Sequence, residues 1–108
     1  MSRRAFDRVL RRYGEQVLLT GETGARRARA VIRPVLERSG EGTQFLPTPL
    51  GRRRTDRFLY LGEPGVPVAW GDRVEWSGPP CRVSRAQAIR VGEELSHWRA
   101  ELRPEDEE

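Results

Sequence analysis

The sequence predicts a mainly β protein, a small β-barrel or sandwich of about six strands with a short N-terminal helix and one long loop. Beyond Arg57, short stretches alternate apolar with polar residues, and glycine, proline or aspartate separates each stretch from the next. The chain has 108 residues, which suits a single domain with one modest core. Its 36% hydrophobic and 33% charged content predicts a compact core beneath a charged surface.

The N-terminal helix is predicted over Arg3 to Tyr13. Apolar residues recur there at i, i+3, i+4 and i+7, starting from Phe6, so that one stripe is apolar while arginines occupy the remaining faces. Ser2 is suited to the N-cap and Gly14 to the position after the last turn. The helical region therefore takes residues 1–14.

Two strands follow the helix, at Gln16 to Thr20 and from about Ala25 to Leu36, joined by a glycine-flanked turn. In the second strand, small or aliphatic residues alternate with arginines, which predicts an inner face and an arginine face. The inner residues are Ala28, Ala30 and Ile32, and the outer ones are Arg27, Arg29 and Arg33. Pro34 cannot donate to a ladder, so the strand ends there or lies at an edge.

A long loop is predicted at residues 37–56, where glycines and prolines interrupt every apolar pattern. Loops of this length are typically functional or disordered. Phe45 would anchor the middle of the loop to a neighbour or to the core. Four arginines, Arg52, Arg53, Arg54 and Arg57, mark its end. They would neutralise nucleic-acid phosphates, form forked bonds to carboxylates of a partner, or remain solvated.

Four more strands are predicted after the loop. Phe58 opens the first, and the segment with Pro67 is an edge or a loop. The next strand carries Val74, and the one after it begins at Cys81 and contains one phase slip, which suggests a bulge. Residues 93–102 fit both a strand and a helix by periodicity, but the turn at Gly92 favours a strand.

Three tryptophans have different expected roles. Trp76 and Trp98 occupy inward-facing strand positions and are predicted to lie in the core. Trp70 lies beside Pro67 and Gly71 and is the better candidate for an exposed interface anchor.

No catalytic or cofactor motif is recognisable. All 20 basic side chains are arginine, which excludes a P-loop lysine and Schiff-base chemistry. One histidine and one cysteine are too few for a His/Cys zinc site. Cys81 is predicted to be a small strand residue and His97 a surface strand residue. The scattered carboxylates, Asp72 and Glu75 among them, are expected in turns or solvent-facing ion pairs. We therefore expect no enzyme activity, metal or cofactor.

Composition also bears on location. The formal net charge of +4 permits contact with nucleic acid or an acidic partner without requiring it. No apolar run approaches the length of a membrane span, and no signal-peptide core follows the basic N-terminal residues, so an intracellular protein without membrane contact is expected. The acidic tail, residues 105–108, is expected to fray.

The order of these elements, together with particular phrases, resembles a known family. The phrases are Leu59 to Gly62, the strand entered by Gly71-Asp72 and containing Val74-Glu75-Trp76, Cys81-Arg82-Val83 leading to Ala86, and the closing segment Trp98 to Leu102. The chain is in this respect similar to the small head–tail connector proteins of tailed bacteriophages and prophages, the head-closure and head–tail joining group.

The resemblance implies a non-enzymatic structural protein that forms a homo-oligomeric ring in the virion neck, after assembly in the bacterial cytoplasm. Residues 1–104 would form the connector domain, between portal or adaptor and tail proteins. The 37–56 loop, with Arg52, Arg53 and Arg54, would contact a neighbouring subunit or the DNA that passes through the channel.

An alternative is a small nucleic-acid-binding barrel of the OB or SH3-like type. It would use the arginine loop and the arginine face of the second strand, and its affinity would fall steeply with salt. A third interpretation is an enzyme subunit or inhibitor with no chemistry of its own.

Overall fold

The protein is a closed barrel of six antiparallel strands with one N-terminal helix. The computed structural model describes residues 3–35 and 57–105. Around the barrel the strands follow the order β1-β2-β3-β6-β5-β4, and β4 closes against β1. The elements are α1 (Arg3–Tyr13), β1 (Glu15–Gly21), β2 (Gly24–Pro34), β3 (Phe58–Gly62), β4 (Arg73–Glu75), β5 (Cys81–Val91) and β6 (Glu94–Pro104). The predicted mainly β barrel is confirmed.

The main core fills the barrel and follows from strand alternation. Each strand turns every second residue inward, and the fully buried side chains include Tyr60, Leu19 and Leu102. Ala28 and Ala30 on β2 also face this core, and such small residues leave room for large neighbours. Trp76 and Trp98 pack against the core but are only partly buried, so their predicted core positions are borne out in part.

A second, smaller core lies outside the barrel wall, beneath α1. Phe6 and Leu10 on the helix and Val31 on β2 are buried together, with Leu61 of β3 packed beside them. Val31 belongs to the outward face of β2, and only the helix shields it from water. The helix is therefore fixed on the barrel through its apolar stripe.

The same helix partly covers His97, which was predicted to be a surface strand residue and is half-buried in β6. The Phe6 ring stacks on the imidazole with ring centroids 4.5 Å apart. Nδ1 of His97 also lies 2.9 Å from the hydroxyl of the fully buried Ser96. Burial lowers the pKa of His97, and nearby Arg99 lowers it further.

One arginine of β2 fixes the end of α1. Gly14 donates its backbone N–H to the Leu10 carbonyl, which closes the last turn. The Arg29 guanidinium donates to the Gly14 carbonyl, just beyond the helix, at 3.0 Å and adds a second donor to the Leu10 carbonyl at 3.4 Å. Arg29 is thus committed to the fold, whereas Arg27 and Arg33 are exposed as predicted.

β5 and β6 form a long hairpin that extends beyond their other partners. β3 pairs only with residues 98–102 of β6, and β4 only with residues 81–82 of β5. The final segment is a strand as predicted, and its turn places Gly92 at φ 67°. Two register shifts occur in this hairpin, after Val83 and after Ile89, where the sequence indicated one.

The predicted 37–56 loop, with Phe45, Arg52, Arg53 and Arg54, lies outside the described residues. Its flanking strands are joined just before that gap, since Val35 donates its N–H to the Arg57 carbonyl at 3.0 Å. Among the residues that are described, no helix has the length and apolar character needed to cross a membrane.

Candidate interaction surface

Trp70 is the most exposed large apolar side chain in the described part of the chain. Its relative exposure is 78%, against 59% for Tyr13 and 43% for Val91. It lies in the connection between β3 and β4, where Pro67 precedes it and Gly71 follows. The predicted exposure of Trp70 is confirmed, and its contact with a partner stays a prediction.

A buried carboxylate organises the backbone on one side of Trp70. Oδ2 of Asp72 accepts a hydrogen bond from the Ala69 N–H at 2.9 Å and an ion-paired one from Arg26 Nη2 at 2.8 Å. The same guanidinium nitrogen donates to the Pro67 carbonyl at 2.8 Å. Asp72 is only 5% exposed, so its expected solvent-facing position is wrong.

The backbone on the other side of Trp70 is tied to β5. Gly71 has φ 89°, a left-handed conformation that favours glycine. Its N–H donates to the Val83 carbonyl at 2.9 Å, and the Val83 N–H donates to the Asp72 carbonyl at 2.9 Å. Nη1 of Arg82 donates to the Gly71 carbonyl at 3.0 Å. The turn is fixed on both sides, and it holds the indole of Trp70 in solvent on a rigid base.

A second ion-paired carboxylate, that of Glu105, lies beside β4, which has only three residues. The Glu105 carboxylate accepts from Arg73 Nε at 3.1 Å and from Arg82 Nε at 3.0 Å. The hydrogen bond from Arg73 is the main reason that the pKa of Glu105 is lowered. Its N–H donates to the Pro80 carbonyl. The expectation that the tail frays from residue 105 is therefore wrong for Glu105, and residues 106–108 lie outside the described part.

The β5–β6 hairpin offers backbone as well as side chains. Within the described residues, β5 beyond Val83 pairs only with β6, and β6 before Trp98 pairs only with β5. We name this part of the hairpin, residues 84–97, the ribbon. At its base, Trp98 Nε1 donates to the Pro64 carbonyl at 3.3 Å. Each ribbon strand has one edge whose alternate N–H and C=O groups have no strand partner in the described chain.

Two buried side chains of the described residues, Tyr60 and Cys81, have pKa values that burial raises. Desolvation by burial, with Glu63 as a lesser cause, raises the pKa of Tyr60 far above its usual range, so the phenol stays protonated. Burial likewise raises the pKa of Cys81, whose thiol donates to the Pro79 carbonyl. In residues 3–35 and 57–105, no group of three or more His, Cys, Asp or Glu side chains is placed to hold a metal ion.

Four arginines on α1 form a further charged surface that the sequence analysis did not single out as a site. Arg4, Arg8, Arg11 and Arg12 are all exposed. No carboxylate of the described chain lies within ion-pair distance of any of them. The signal in the sequence was the arginine content of residues 3–12, which the helical pattern left on the outward faces.

Of the predicted contact residues, Arg57 and Trp70 lie in the described part of the chain, and Phe45, Arg52, Arg53 and Arg54 lie outside it. Trp70 lies on the β3–β4 connection. Arg57 is half-buried just before β3, where its carbonyl accepts a hydrogen bond from the Val35 N–H. No protein-family model and no curated protein matches this chain.

Proposed function

We propose that this protein is a structural neck component of a phage or phage-like particle, which acts by joining into a ring between head and tail. The observation that carries the proposal is a closed barrel with two contact elements: the braced Trp70 turn, residues 67–72, with its exposed indole, and the ribbon, which has an outer strand edge without a strand partner in the described chain. The barrel order, with a short helix first and a long connection between β2 and β3, also agrees with the architecture that the family resemblance implies.

The ribbon edges support assembly. An unpaired strand edge is a template for association, and natural proteins usually cover it or pair it. A contact between an edge of one copy and a different surface of the next is heterologous, and such contacts close into rings when the rotation allows. The same geometry in a monomer would leave both ribbon edges open to indiscriminate pairing.

The exposed indole of Trp70 on its braced turn supports a specific contact rather than nonspecific hydrophobic association. Buried tryptophans are frequent anchors of protein interfaces, and a partner that covers this indole removes a large apolar area from water. The Asp72 and Gly71 contacts hold its turn in place before binding, so little conformational entropy is lost when a partner docks. We assign Trp70 to a contact with a neighbouring subunit or with a portal, adaptor or tail protein.

The proposed role is non-enzymatic. The polar groups with altered pKa values are explained by burial or by ion pairs that hold the fold, as for Tyr60 and Glu105. A virion location in the neck belongs to the same proposal, as does contact of the 37–56 loop with a neighbour or with DNA in the channel.

The alternative, a nucleic-acid-binding barrel of OB or SH3-like type, loses part of its expected surface. Arg29 was to contribute to the arginine face of β2, but its guanidinium is bonded to the end of α1. Val31, between the arginines of that face, is buried under the helix. Arg27 and Arg33 alone would form a small phosphate-binding surface.

Attachment to phage particles tests the proposal. The full chain is mixed with heads that carry a portal and with isolated tails, and the bound protein is counted per particle after purification. We expect several copies per neck, arranged in a ring when the complex is imaged. A protein that stays monomeric and never attaches to either particle contradicts the proposal.

Trp70→Ala is the matched variant for this experiment. We expect normal folding, because the indole is in solvent, and attachment weakened at least tenfold, as for loss of an interface anchor. Gln16→Ala, at an exposed position of β1 outside both contact elements, is the control and should attach as the wild type does. Equal attachment of the Trp70 variant would remove this residue from the interface.

A further inference from the structure

We infer that α1 is a docking surface for the phosphate backbone of double-stranded nucleic acid. The surface consists of the guanidinium groups of Arg4, Arg8, Arg11 and Arg12 and is named here the helix patch. It differs from the predicted arginine loop and from the arginine face of β2. The inference does not depend on ring assembly, since one copy carries the whole patch.

The spacing of the helix patch suits a regular array of negative charges. Positions 4, 8, 11 and 12 recur at helical intervals of three and four, so adjacent guanidinium groups share one side of the helix. At a rise of about 1.5 Å per residue, the patch extends over about 12 Å. A DNA duplex presents one phosphate per about 1.7 Å of its axis, so several phosphates lie within reach of four long side chains.

The arginines of the patch are available for binding. Three arginines elsewhere have carboxylate partners, Arg26 with Asp72 and both Arg73 and Arg82 with Glu105. The only carboxylate on α1 is Asp7, which is exposed and makes no ion pair with the patch. When guanidinium groups without carboxylate partners neutralise DNA phosphates, the cations condensed on the DNA are released, which favours binding at low salt.

The helix presents the patch rigidly. Phe6 is fully buried, Leu10 is buried against Val31, and Arg29 binds the carbonyls at the C-terminal end. The backbone that carries the four arginines is therefore already in place before a ligand arrives. Only side-chain freedom is lost on binding.

The chemistry of the face favours nucleic acid over an acidic protein. Protein interfaces have an apolar core of buried anchors, with charges mainly at the rim. The outward face of α1 offers charges and a single large apolar residue, Tyr13. The Arg12 guanidinium lies over that ring, 5.7 Å from its centroid, so the ring is not free to stack on a base. A duplex backbone fits this face better than a splayed single strand, which needs stacking platforms.

The test measures binding of the full chain to a fluorescent DNA duplex of mixed sequence at salt concentrations from about 50 to about 200 mM. The helix variant carries R4Q, R8Q, R11Q and R12Q, since glutamine keeps helix propensity close to that of arginine. The control variant carries R85Q, R90Q, R99Q and R103Q, at exposed positions of β5 and β6. Both variants remove the same charge, so a difference between them reports position.

We expect the wild type to bind with an affinity that falls about 150-fold over this salt range if all four arginines contact phosphates. The helix variant should lose about 3.6 from the magnitude of the salt slope, and the control variant less than about 1. A lysine version, with R4K, R8K, R11K and R12K, should restore most of the slope. Circular dichroism and the melting temperature confirm that each variant is folded.

Several results would overturn the inference. They are no binding of the wild type at the lowest salt, or an equal loss of slope in the helix and control variants, which would make net charge the cause. Polyglutamate that competes better than duplex DNA at equal charge would point to an acidic protein partner instead. The oligomeric state is measured separately, from the mass of the protein in the same samples. Failure to form a ring would count against the proposed neck function and would leave the DNA-binding inference in place.

Discussion

Three arginines of the barrel wall pair with carboxylates, whereas within the described residues the arginines of the helix patch do not. Arg26, Arg73 and Arg82 lie beside carboxylates on neighbouring elements, and each also contributes to the closure around β4 or the Trp70 turn. Arg4, Arg8 and Arg11 have no such partner in the described chain. The difference teaches that charge count alone does not identify a binding surface, because some of this charge is used inside the fold.

The cause of the difference is the location of the carboxylates. Asp72 and Glu105 lie close to β4. Only three residue pairs join β4 to β1 in the sheet, and only two join it to β5. Few backbone bonds hold this part of the barrel, and ion pairs add to them. The helix is held instead by apolar burial, through Phe6 and Leu10, and needs no charged contact on its outer side.

The largest expected effect on the free energy of unfolding is that of Arg26→Ala, which removes the cation of a buried ion pair. The change leaves the Asp72 carboxylate, which is only 5% exposed, with the Ala69 N–H but without its cation. We expect the free energy of unfolding to fall by about 2–3 kcal/mol, below the range for a fully buried pair because Arg26 is partly exposed. Urea denaturation measures it. Arg27→Ala, at the exposed neighbouring position, should change stability by less than about 0.5 kcal/mol.

Acid should weaken the packing of α1 on the barrel through protonation of His97. Because the pKa of His97 is lowered in the fold, its contribution to stability is complete above the unfolded pKa of about 6.5 and is lost as the pH falls from there toward the folded pKa. The protection factors of the α1 amides, corrected for the intrinsic pH dependence of exchange, should therefore fall as the pH drops below about 6.5. In His97→Gln the same pH change should leave α1 exchange protection constant. An identical acid response in the variant would assign the effect to another group.

A smaller effect is expected at Glu105, on the wall side of the comparison. Its lowered pKa means that its contribution is present above the ordinary glutamate pKa of about 4.3 and is lost as the pH falls through the folded value. Glu105→Gln should lower the urea midpoint modestly at neutral pH. The gap between variant and wild type should close once Glu105 is protonated. A gap that persists at that low pH would show that the carboxylate charge is not the cause.

Much of the barrel could be predicted from the sequence because its strands alternate cleanly. The Val17, Leu19 and Phe58 positions show which face is buried, and Gly92 identifies the last hairpin. The closure of the sheet and its strand order could not be read in this way, because β4 has only three residues and pairing partners lie far apart in the chain.

The errors all concern contacts between distant segments. Asp72 follows a glycine and looks like a turn residue, but Arg26 from β2 neutralises it in the interior. His97 alternates as a surface residue would, but a helix more than eighty positions earlier in the chain partly covers it. Local pattern reports which face of a strand a residue occupies, and it does not report what lies on that face. Of the candidate site, exposure of Trp70 could be predicted, while the bracing of its turn could not.

The contrast between paired and unpaired arginines is tested most directly by the free energy of unfolding of the R4Q/R8Q/R11Q/R12Q variant, measured beside Arg26→Ala at the same pH and about 0.2 M salt. Arg11 and Arg12 interact favourably with the negative C-terminal end of the helix dipole, and salt screens that interaction. We therefore expect the four substitutions to lower the free energy of unfolding by no more than about 1 kcal/mol. A loss as large as that of Arg26→Ala would show that the helix arginines hold the fold together, and it would contradict the account.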